Sequence, residues 1–296
     1  MDLLKECKLC PRNCGVNRYE SVGICGAGSK VKVSYYSLHE WEEPIISGTN
    51  GSGTVFFSNC NLKCIFCQNR KISAEGYGKE ISNKRLGEIF LELQKKGAHN
   101  INLVTPTHYV PQIVDVLQKF KGNDLFIPIV YNTSSYENIE TIKLLDGLVD
   151  IYLADLKYFD NTLGSNYSHV KNYFDVANKA INEMYQQVGK PIINNGLMKR
   201  GLIVRVLLLP GHVDDAKNII LYLWKKYGDN IYISIMNQYT PMDCDYEYSN
   251  LNREVTVEEY DSVIEYACDL GITNAFIQEG DTALESFIPK FDCSKV

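Results

Sequence analysis

Long apolar runs are missing from this sequence of 296 residues. No stretch approaches the roughly eighteen consecutive apolar residues of a membrane-spanning helix. The start, MDLLKECKLCPRNC, has no basic segment leading into an apolar run and a cleavage site, as a secretory signal would. A positive charge excess is missing too: the net charge is −6 and the pI about 5.5, whereas nucleic-acid-binding domains are usually basic. We therefore expect a cytoplasmic protein with no membrane segment and no nucleic-acid partner.

Signs of disorder are also missing. Hydrophobic residues make up 45% of the chain and charged residues 22%, which is the balance of a globular protein. The length suits one α/β barrel of ordinary size or two small domains.

Cysteine is what the sequence has in excess, with ten in all and seven of them in the first 67 residues. In a reducing compartment such clusters bind metal or do chemistry more often than they form disulfides. The asymmetry predicts an N-terminal half built around metal. The leading cysteines are Cys7, Cys10, Cys14 and Cys25, and the loop cysteines are Cys60, Cys64 and Cys67.

The chain divides into a cysteine-rich module with a linker, residues 1–50, and a main domain, residues 51–296. In the main domain, short apolar runs alternate with segments whose apolar residues recur at helical spacing. The predicted strands are 53–58, 100–105, 125–133, 150–157, 202–211, 231–241 and, more weakly, 274–278. The predicted helices are 83–97, 109–120, 138–145, 172–189, 214–228 and 256–271.

This alternation implies parallel strands joined by right-handed crossovers. Six strong strands and one weak strand predict an α/β fold, a partial (β/α)6 TIM-like barrel with the small cysteine-rich module attached. Chemistry in such folds lies at the carboxyl ends of the strands, where the sequence places TPTH, YNTS, DLK, PGH and NQYTP.

The loop cysteines, in SNCNLKCIFCQN, directly follow the first predicted strand. A structural zinc normally takes four protein ligands, and a cubane iron–sulfur cluster needs one for each of four irons. Three thiolates leave one position to be filled by something else. Spacing alone allows a cluster with an open iron, or a zinc site completed by a histidine or by Cys25.

The loop CNLKCIFCQN resembles the signature of the radical S-adenosylmethionine (SAM) superfamily. The resemblance extends to the branch related to pyruvate formate-lyase activating enzyme, in particular to members that begin with a CxLCPRxCxVNR segment, here CKLCPRNCGVNR. Further stretches match in the same order: NLVTPTHYVP, MKRGLIVRVLLLPGH, ISIMNQYTP and SFIPKFD.

The resemblance implies that the loop cysteines hold a 4Fe-4S cluster whose open iron is chelated by SAM. It implies reductive cleavage of SAM, hydrogen abstraction by the resulting 5′-deoxyadenosyl radical, and an electron donor such as flavodoxin or ferredoxin. The expected substrate is a protein or peptide, in the first place a glycine of a partner protein. The alternatives are a radical SAM enzyme for another protein, peptide or small metabolite, and a non-catalytic iron–sulfur or zinc protein.

Several residues are candidates for binding SAM. By the resemblance, Phe66 is expected near the adenine, with ordinary loop packing as the alternative, and Asn69 near the cluster. Related enzymes carry a Gly-Gly-Glu stretch where this sequence has TPTH, so Thr105, Thr107 and His108 are the candidate acceptors for the ammonium of SAM.

Further candidates lie at later strand ends. Asn132 is a candidate for the ribose or the carboxylate of SAM. Asp155 and Lys157 match the DxK of activating enzymes, where the aspartate resembles a ligand of a monovalent cation; a buried ion pair is the alternative.

Arg205 lies inside the apolar strand LIVRVLLLP, where an unpaired charge would be costly. It must therefore meet a carboxylate, a carbonyl or a cofactor group, and the inside of the barrel is the expected place. His212 and Gln238 also follow strands at this end of the barrel.

Glycines at positions 15, 23, 26 and 28 allow the tight turns of a metal-binding loop around the leading cysteines. Four thiolates can close around zinc or a second cubane cluster, and both remain open. Of the isolated cysteines, Cys268 is expected in the core, Cys293 carries no prediction, and Cys244 follows the last catalytic-end motif without an expected role.

Overall fold

A computed structural model describes residues 2–241, 247–278, 291–293 and 296. The strands are β1 (Val31–His39), β2 (Ser52–Phe57), β3 (Lys79–Ile81), β4 (Ile101–Val104), β5 (Ile129–Thr133), β6 (Ile151–Asp155), β7 (Ile192–Asn194), β8 (Leu197–Leu207), β9 (Tyr232–Met236) and β10 (Ala275–Ile277). The α-helices are α1 (Pro44–Ser47), α2 (Arg70–Ser73), α3 (Asn83–Lys95), α4 (Val110–Phe120), α5 (Ile139–Lys143), α6 (Asn161–Ser168), α7 (Tyr173–Val188), α8 (Val213–Tyr227) and α9 (Val257–Asp269).

The strands form one sheet in the order β10-β9-β8-β6-β5-β4-β2-β1-β3, with β7 attached to β8. From β2 to β10 along this order every pairing is parallel. These are the six strong strands and the weak last strand that the sequence predicts. The α/β class and the partial barrel are therefore confirmed.

Apolar strands and amphipathic helices build this fold as the alternation requires. All residues of β2 are buried, as expected for a parallel strand covered on both faces. Helix α3 begins where the Ser82 hydroxyl accepts from the backbone N–H of Arg85 at 3.1 Å, and its buried face includes Leu86 and Phe90. Parallel strands covered in this way bring their carboxyl ends to one edge of the barrel.

The sequence prediction missed three strands, β1, β3 and β7, of which the short β3 pairs antiparallel with β1. Strand β1 lies in the segment assigned to the module and linker, yet it pairs antiparallel with β2, and Val31 and Val33 belong to the main core. Strand β7 pairs with β8 through a two-residue turn of Asn195 and Gly196, whose φ angles are 50° and 75°. Asn-Gly is the strongest short hairpin signal, so β7 could have been predicted from the sequence.

Helix α1 closes the amino end of the barrel. Its Ile46 is fully buried against Val130, Leu153 and Ile203, from three neighbouring parallel strands. Apolar side chains thus fill this part of the barrel interior.

Within the described ranges, no helix is both long and apolar enough to cross a membrane. Cys244 lies outside those ranges. The core position expected for Cys268 is wrong: Cys268 is exposed, because α9 turns Tyr260, Val263 and Ala267 inward instead.

Candidate active site

The three loop cysteines open onto one cavity. They follow the carboxyl end of β2 and line a space of about 380 Å³, a size typical of small-molecule sites. Side chains from the ends of β4, β5, β6 and β8 line the same space. The parallel register thus gathers the loop cysteines and the predicted strand-end residues.

Hydrogen-bond donors surround the loop cysteines. The backbone N–H of Leu62 donates to Cys60 Sγ at 3.5 Å, and the hydroxyl of Ser73 donates to Cys67 Sγ at 3.2 Å. Donors to sulfur stabilise a thiolate, the form that binds iron, and tune the potential of a cluster.

Cys64 is half-buried and lies beside a hydroxyl group. Its sulfur is 2.8 Å from the hydroxyl oxygen of Ser168. Burial raises the pKa of Cys64 to about 12, although the ammonium of Lys157 acts in the opposite direction. Metal binding must therefore release a proton from this thiol.

The donor set fits an iron–sulfur cluster with an open corner. Thiolates are the ligands of such clusters. Of the two ways to complete a zinc site, Cys25 does not line the cavity, whereas one histidine, His39, does. Among the residues the structure describes, no three Cys, His, Asp or Glu side chains surround a single point at metal-ion distance. A metal must therefore draw these sulfurs inward or bridge them with inorganic sulfide.

Arg205 meets the carboxylate that its apolar strand predicts. Its Nε donates to Asp155 Oδ1 at 2.8 Å, and Lys157 Nζ donates to Asp155 Oδ2 at 2.7 Å. Burial raises the pKa of Asp155, but the two cations outweigh it and hold that pKa below its ordinary value. The structure thus places Asp155 in the buried ion pair that was the alternative, and its role as a ligand of a monovalent cation stays a prediction.

The same guanidinium joins two further groups. Arg205 donates to Asn132 Oδ1 at 2.7 Å and to Glu42 Oε2 at 3.4 Å. Burial raises the pKa of Glu42, while Arg205 lowers it. Asn132, Asp155, Lys157 and Arg205 all line the cavity, so this network forms the polar wall facing the loop cysteines.

Residues in left-handed backbone conformations cluster at the same end of the barrel. Asn59, Lys63, Thr105 and Ser135 have φ angles of 78°, 61°, 58° and 60°. A β-branched residue such as Thr105 adopts this conformation only under constraint, and such strain concentrates at functional sites. Thr105 lines the cavity, and its N–H donates to the carbonyl of Asn132 at 2.9 Å.

The two residues that follow Thr105 in the candidate set turn away from the cavity. The Thr107 hydroxyl donates to Glu137 Oε1 at 2.7 Å. His108 Nε2 lies 2.8 Å from the carbonyl oxygen of Ser58, and burial lowers the pKa of His108 to about 3. A 3₁₀ turn over Thr107–Tyr109 points these side chains into packed protein, so the geometry gives them no contact with a ligand in the cavity.

His212 also lies outside the cavity lining. It precedes α8, and its Nε2 is 2.9 Å from the hydroxyl of Tyr167 and 3.1 Å from Nδ2 of Asn250. Its partners are other side chains of the protein, so its expected role in cofactor binding finds no geometric support.

Three other candidates do line the cavity: Phe66, Asn69 and Gln238. The Phe66 ring is buried, with its centroid 6.0 Å from that of Tyr239. The Gln238 carbonyl accepts from Gln68 Nε2 at 2.6 Å, which joins the cysteine loop to the end of β9.

Sequence reasoning missed some polar residues of this region. Gln278 lines the cavity at the end of β10. It could have been predicted from the sequence, because functional residues lie at the carboxyl ends of all parallel strands, the weak last strand included. Nothing in the sequence pointed to Glu42 as a site residue, since it follows β1, which was not predicted. Glu137 accepts from Tyr131 and Thr133 at 3.1 and 2.6 Å, and burial raises its pKa to about 7.

Comparisons with known proteins bear on the family of this chain. The model of the radical SAM superfamily matches residues 54–220, more than half of the chain. This chain belongs to the radical SAM superfamily. An uncharacterised protein of Methanocaldococcus jannaschii is 34% identical over 279 residues, which cover 90% of this radical SAM protein and 75% of that one.

Two solved structures match at low identity and with TM-scores below 0.5. Streptococcus suis SuiB, solved bound to S-adenosylmethionine, is 14% identical with a TM-score of 0.49, over 75% of this chain and 45% of SuiB. A domain of pyruvate-formate lyase-activating enzyme from Bacteroides vulgatus is 16% identical with a TM-score of 0.42, over 58% of this chain and 92% of that domain. This chain spans less than half the length of SuiB, and neither likeness bears on its activity.

Proposed function

We propose that this protein cleaves SAM reductively at a 4Fe-4S cluster held by the loop cysteines and abstracts hydrogen from a glycine of a partner protein. When bound, the cluster supplies one electron to the sulfonium of SAM, and the products are methionine and a 5′-deoxyadenosyl radical. The observation that carries the proposal is that three thiols and the network around Arg205 line one cavity.

The chain's own residues have separate tasks in this proposal. The loop cysteines bind three irons, and Leu62 and Ser73 donate to their sulfurs. Asn132 and Thr105 offer polar atoms to the amino acid end of SAM, on the wall that Arg205 holds in place. Phe66 offers an aromatic face to the adenine.

The glycine substrate rests on the resemblance of the sequence to activating enzymes. Two features favour a different protein, peptide or small metabolite as the alternative. The Gly-Gly-Glu stretch is replaced by TPTH, and the leading cysteines are an addition to the simplest activating enzymes.

The test follows the abstracted hydrogen atom. The reduced protein and SAM are incubated anaerobically with the proteome of the source organism grown on glycine deuterated at Cα. We expect 5′-deoxyadenosine whose mass rises by one deuterium, because the radical carbon takes the atom that glycine loses. Unlabelled nucleoside would favour the alternative substrates, and absence of the nucleoside would contradict the proposal.

We also propose where an electron donor docks. A second groove of about 520 Å³ is lined by Cys64 together with Lys63, Arg70 and His169, and also by Glu247. Two permanent positive charges against one negative charge make the groove locally basic on a chain of net charge −6. An acidic donor such as flavodoxin would be steered toward it and brought next to a cluster ligand.

Reversing the groove's charge should impair only the donor-driven reaction. For Lys63→Glu/Arg70→Glu we expect the KM for reduced flavodoxin to rise on the order of tenfold at low salt. The rate with dithionite, a small reductant, should stay within about twofold of the parent. The control is Lys95→Glu/Lys225→Glu, the same charge change at exposed ends of α3 and α8. Equal KM values for the two double variants would place the docking site elsewhere.

A further inference from the structure

The leading cysteines come together although no helix or strand within residues 2–30 holds them. The Cys7 N–H donates to the carbonyl of Val16 at 3.0 Å, and the Cys7 carbonyl accepts from the N–H of Gly15 at 2.9 Å. These two bonds close a tight loop that contains Cys10 and Cys14. Cys14 Sγ and Cys25 Sγ each lie 3.4 Å from the position that a Cβ on Gly23 would occupy. The two sulfurs are therefore at most twice that distance apart.

The backbone is arranged to donate to these sulfurs. The N–H of Ala27 donates to Cys25 Sγ at 3.4 Å. Burial raises the pKa of Cys10, while the backbone of Arg12 hydrogen-bonds to its thiol and lowers it. In both cases the donor lies two residues after the cysteine, as Leu62 does after Cys60 in the cluster loop. The two cysteine groups thus share one local geometry.

A buried cation lies beside the leading cysteines. Arg18 is 2% exposed, and its guanidinium donates to the carbonyls of Gly28 and His108. No carboxylate of the described residues lies within ion-pair distance of it, although a buried charge normally requires a counter-charge. Gly28, whose carbonyl accepts from Arg18 Nε at 3.0 Å, lies three residues after Cys25. An anion at the leading cysteines would therefore supply the counter-charge that Arg18 lacks.

We infer that Cys7, Cys10, Cys14 and Cys25 form a closed four-thiolate metal site whose negative charge is balanced by Arg18. Four thiolates around Zn²⁺ carry a net charge of about −2, as they do around an oxidised cubane cluster. Cys7, Cys10 and Cys25 are buried. No three of the described cysteines surround one point at metal-ion distance, so a metal must draw these sulfurs inward, as at the loop cysteines. The site takes zinc or a second cubane cluster, and the experiment below tells them apart.

The proposed site adjoins the cluster loop. Arg12 Nε donates to the carbonyl of Asn61 at 2.9 Å and Arg12 Nη1 to that of His169 at 2.7 Å, which fastens the module to the barrel. The Asn61 side chain hydrogen-bonds to Cys10, and its Oδ1 lies 4.0 Å from Cys60 Sγ. One amide thus separates the two cysteine groups, so iron at the leading cysteines would lie close to the first cluster.

The test removes the loop cysteines first, so it does not depend on the proposed radical chemistry. Iron, sulfide and zinc are counted in the anaerobically purified variant Cys60→Ala/Cys64→Ala/Cys67→Ala. We expect about four irons with four sulfides, or about one zinc, per chain. Adding Cys10→Ala/Cys25→Ala should lower this metal at least tenfold, whereas adding Cys268→Ala/Cys293→Ala should leave it unchanged.

Two results would overturn the site. One is a loop variant that is folded by circular dichroism yet holds less than about a tenth of a metal equivalent. The other is metal that persists after Cys10 and Cys25 are replaced. Iron would identify an auxiliary cluster, and zinc a structural ion.

The role of Arg18 has a separate readout. In Arg18→Met, which keeps all four thiols, we expect a chelator to remove the metal of the leading cysteines at least about tenfold faster, because outer groups of this kind commonly change metal affinity by that much. Arg200→Met removes an exposed guanidinium and serves as the control. Equal rates of metal loss for the two variants would show that Arg18 does not balance the charge of the site.

Discussion

Cys60→Ala is expected to reduce 5′-deoxyadenosine formation below about a hundredth of the parent rate. Three thiolates are the fewest that hold a cubane cluster while leaving one iron for SAM. Without the Cys60 thiolate, two irons lack a protein ligand, and the cluster is lost or its reduction potential changes. The measurement is nucleoside formed per chain under dithionite and SAM, with the iron content determined on the same sample.

Cys268→Ala is the matched control for that variant, since it makes the same chemical change at an exposed position on α9. It should keep the parent rate and iron content. If Cys60→Ala formed the nucleoside at the parent rate, the loop cysteines would not be the cluster ligands. If the nucleoside were lost at unchanged iron content, Cys60 would act on SAM rather than hold the cluster.

Arg205→Met is expected to lower the free energy of unfolding by about 3 to 5 kcal/mol, because it leaves buried carboxylates without their cation. Asp155 keeps only Lys157, and Glu42 loses its ion pair. Asn132 also loses the donor that orients its side chain toward the cavity. SAM affinity should therefore fall along with stability. The measurements are anaerobic denaturant unfolding and equilibrium dialysis of SAM.

Arg200→Met is the control, because it removes an exposed arginine from the same strand and should change stability by less than about 0.5 kcal/mol. Arg205→Lys keeps the charge but loses the planar fork that reaches several acceptors at once, so we expect an intermediate loss. A stability and a SAM affinity for Arg205→Met both equal to those of Arg200→Met would contradict the network's role.

The parallel core of the fold was predictable because its signal is local. Each buried strand is an apolar run, and each covering helix has its own apolar period. Strand β1 escaped because it is an antiparallel addition, with a mixture of buried and half-buried positions that follows neither period. Its place in the sheet depends on pairing with β2 rather than on its own residues.

In the candidate site, too, some residues were predictable from the local sequence and others were placed by the fold. The spacing of the loop cysteines and their position after a strand were enough to place them at the carboxyl end of the barrel. The same rule placed His108 there, yet a 3₁₀ turn buries its ring against Ser58 instead. A strand-end position determines which end of the barrel a residue occupies, while the local backbone determines where its side chain points.

By itself the sequence determined the parallel α/β core, the three-thiol loop and the need of Arg205 for a counter-charge. Each of these follows from neighbouring residues and their polarity. Only the tertiary structure decided that Asp155 is that counter-charge, because the register of β6 and β8 sets the two residues side by side. Likewise, only the fold brought the buried Arg18 of the module to the carbonyl of His108, since that contact depends on how the module packs against the barrel.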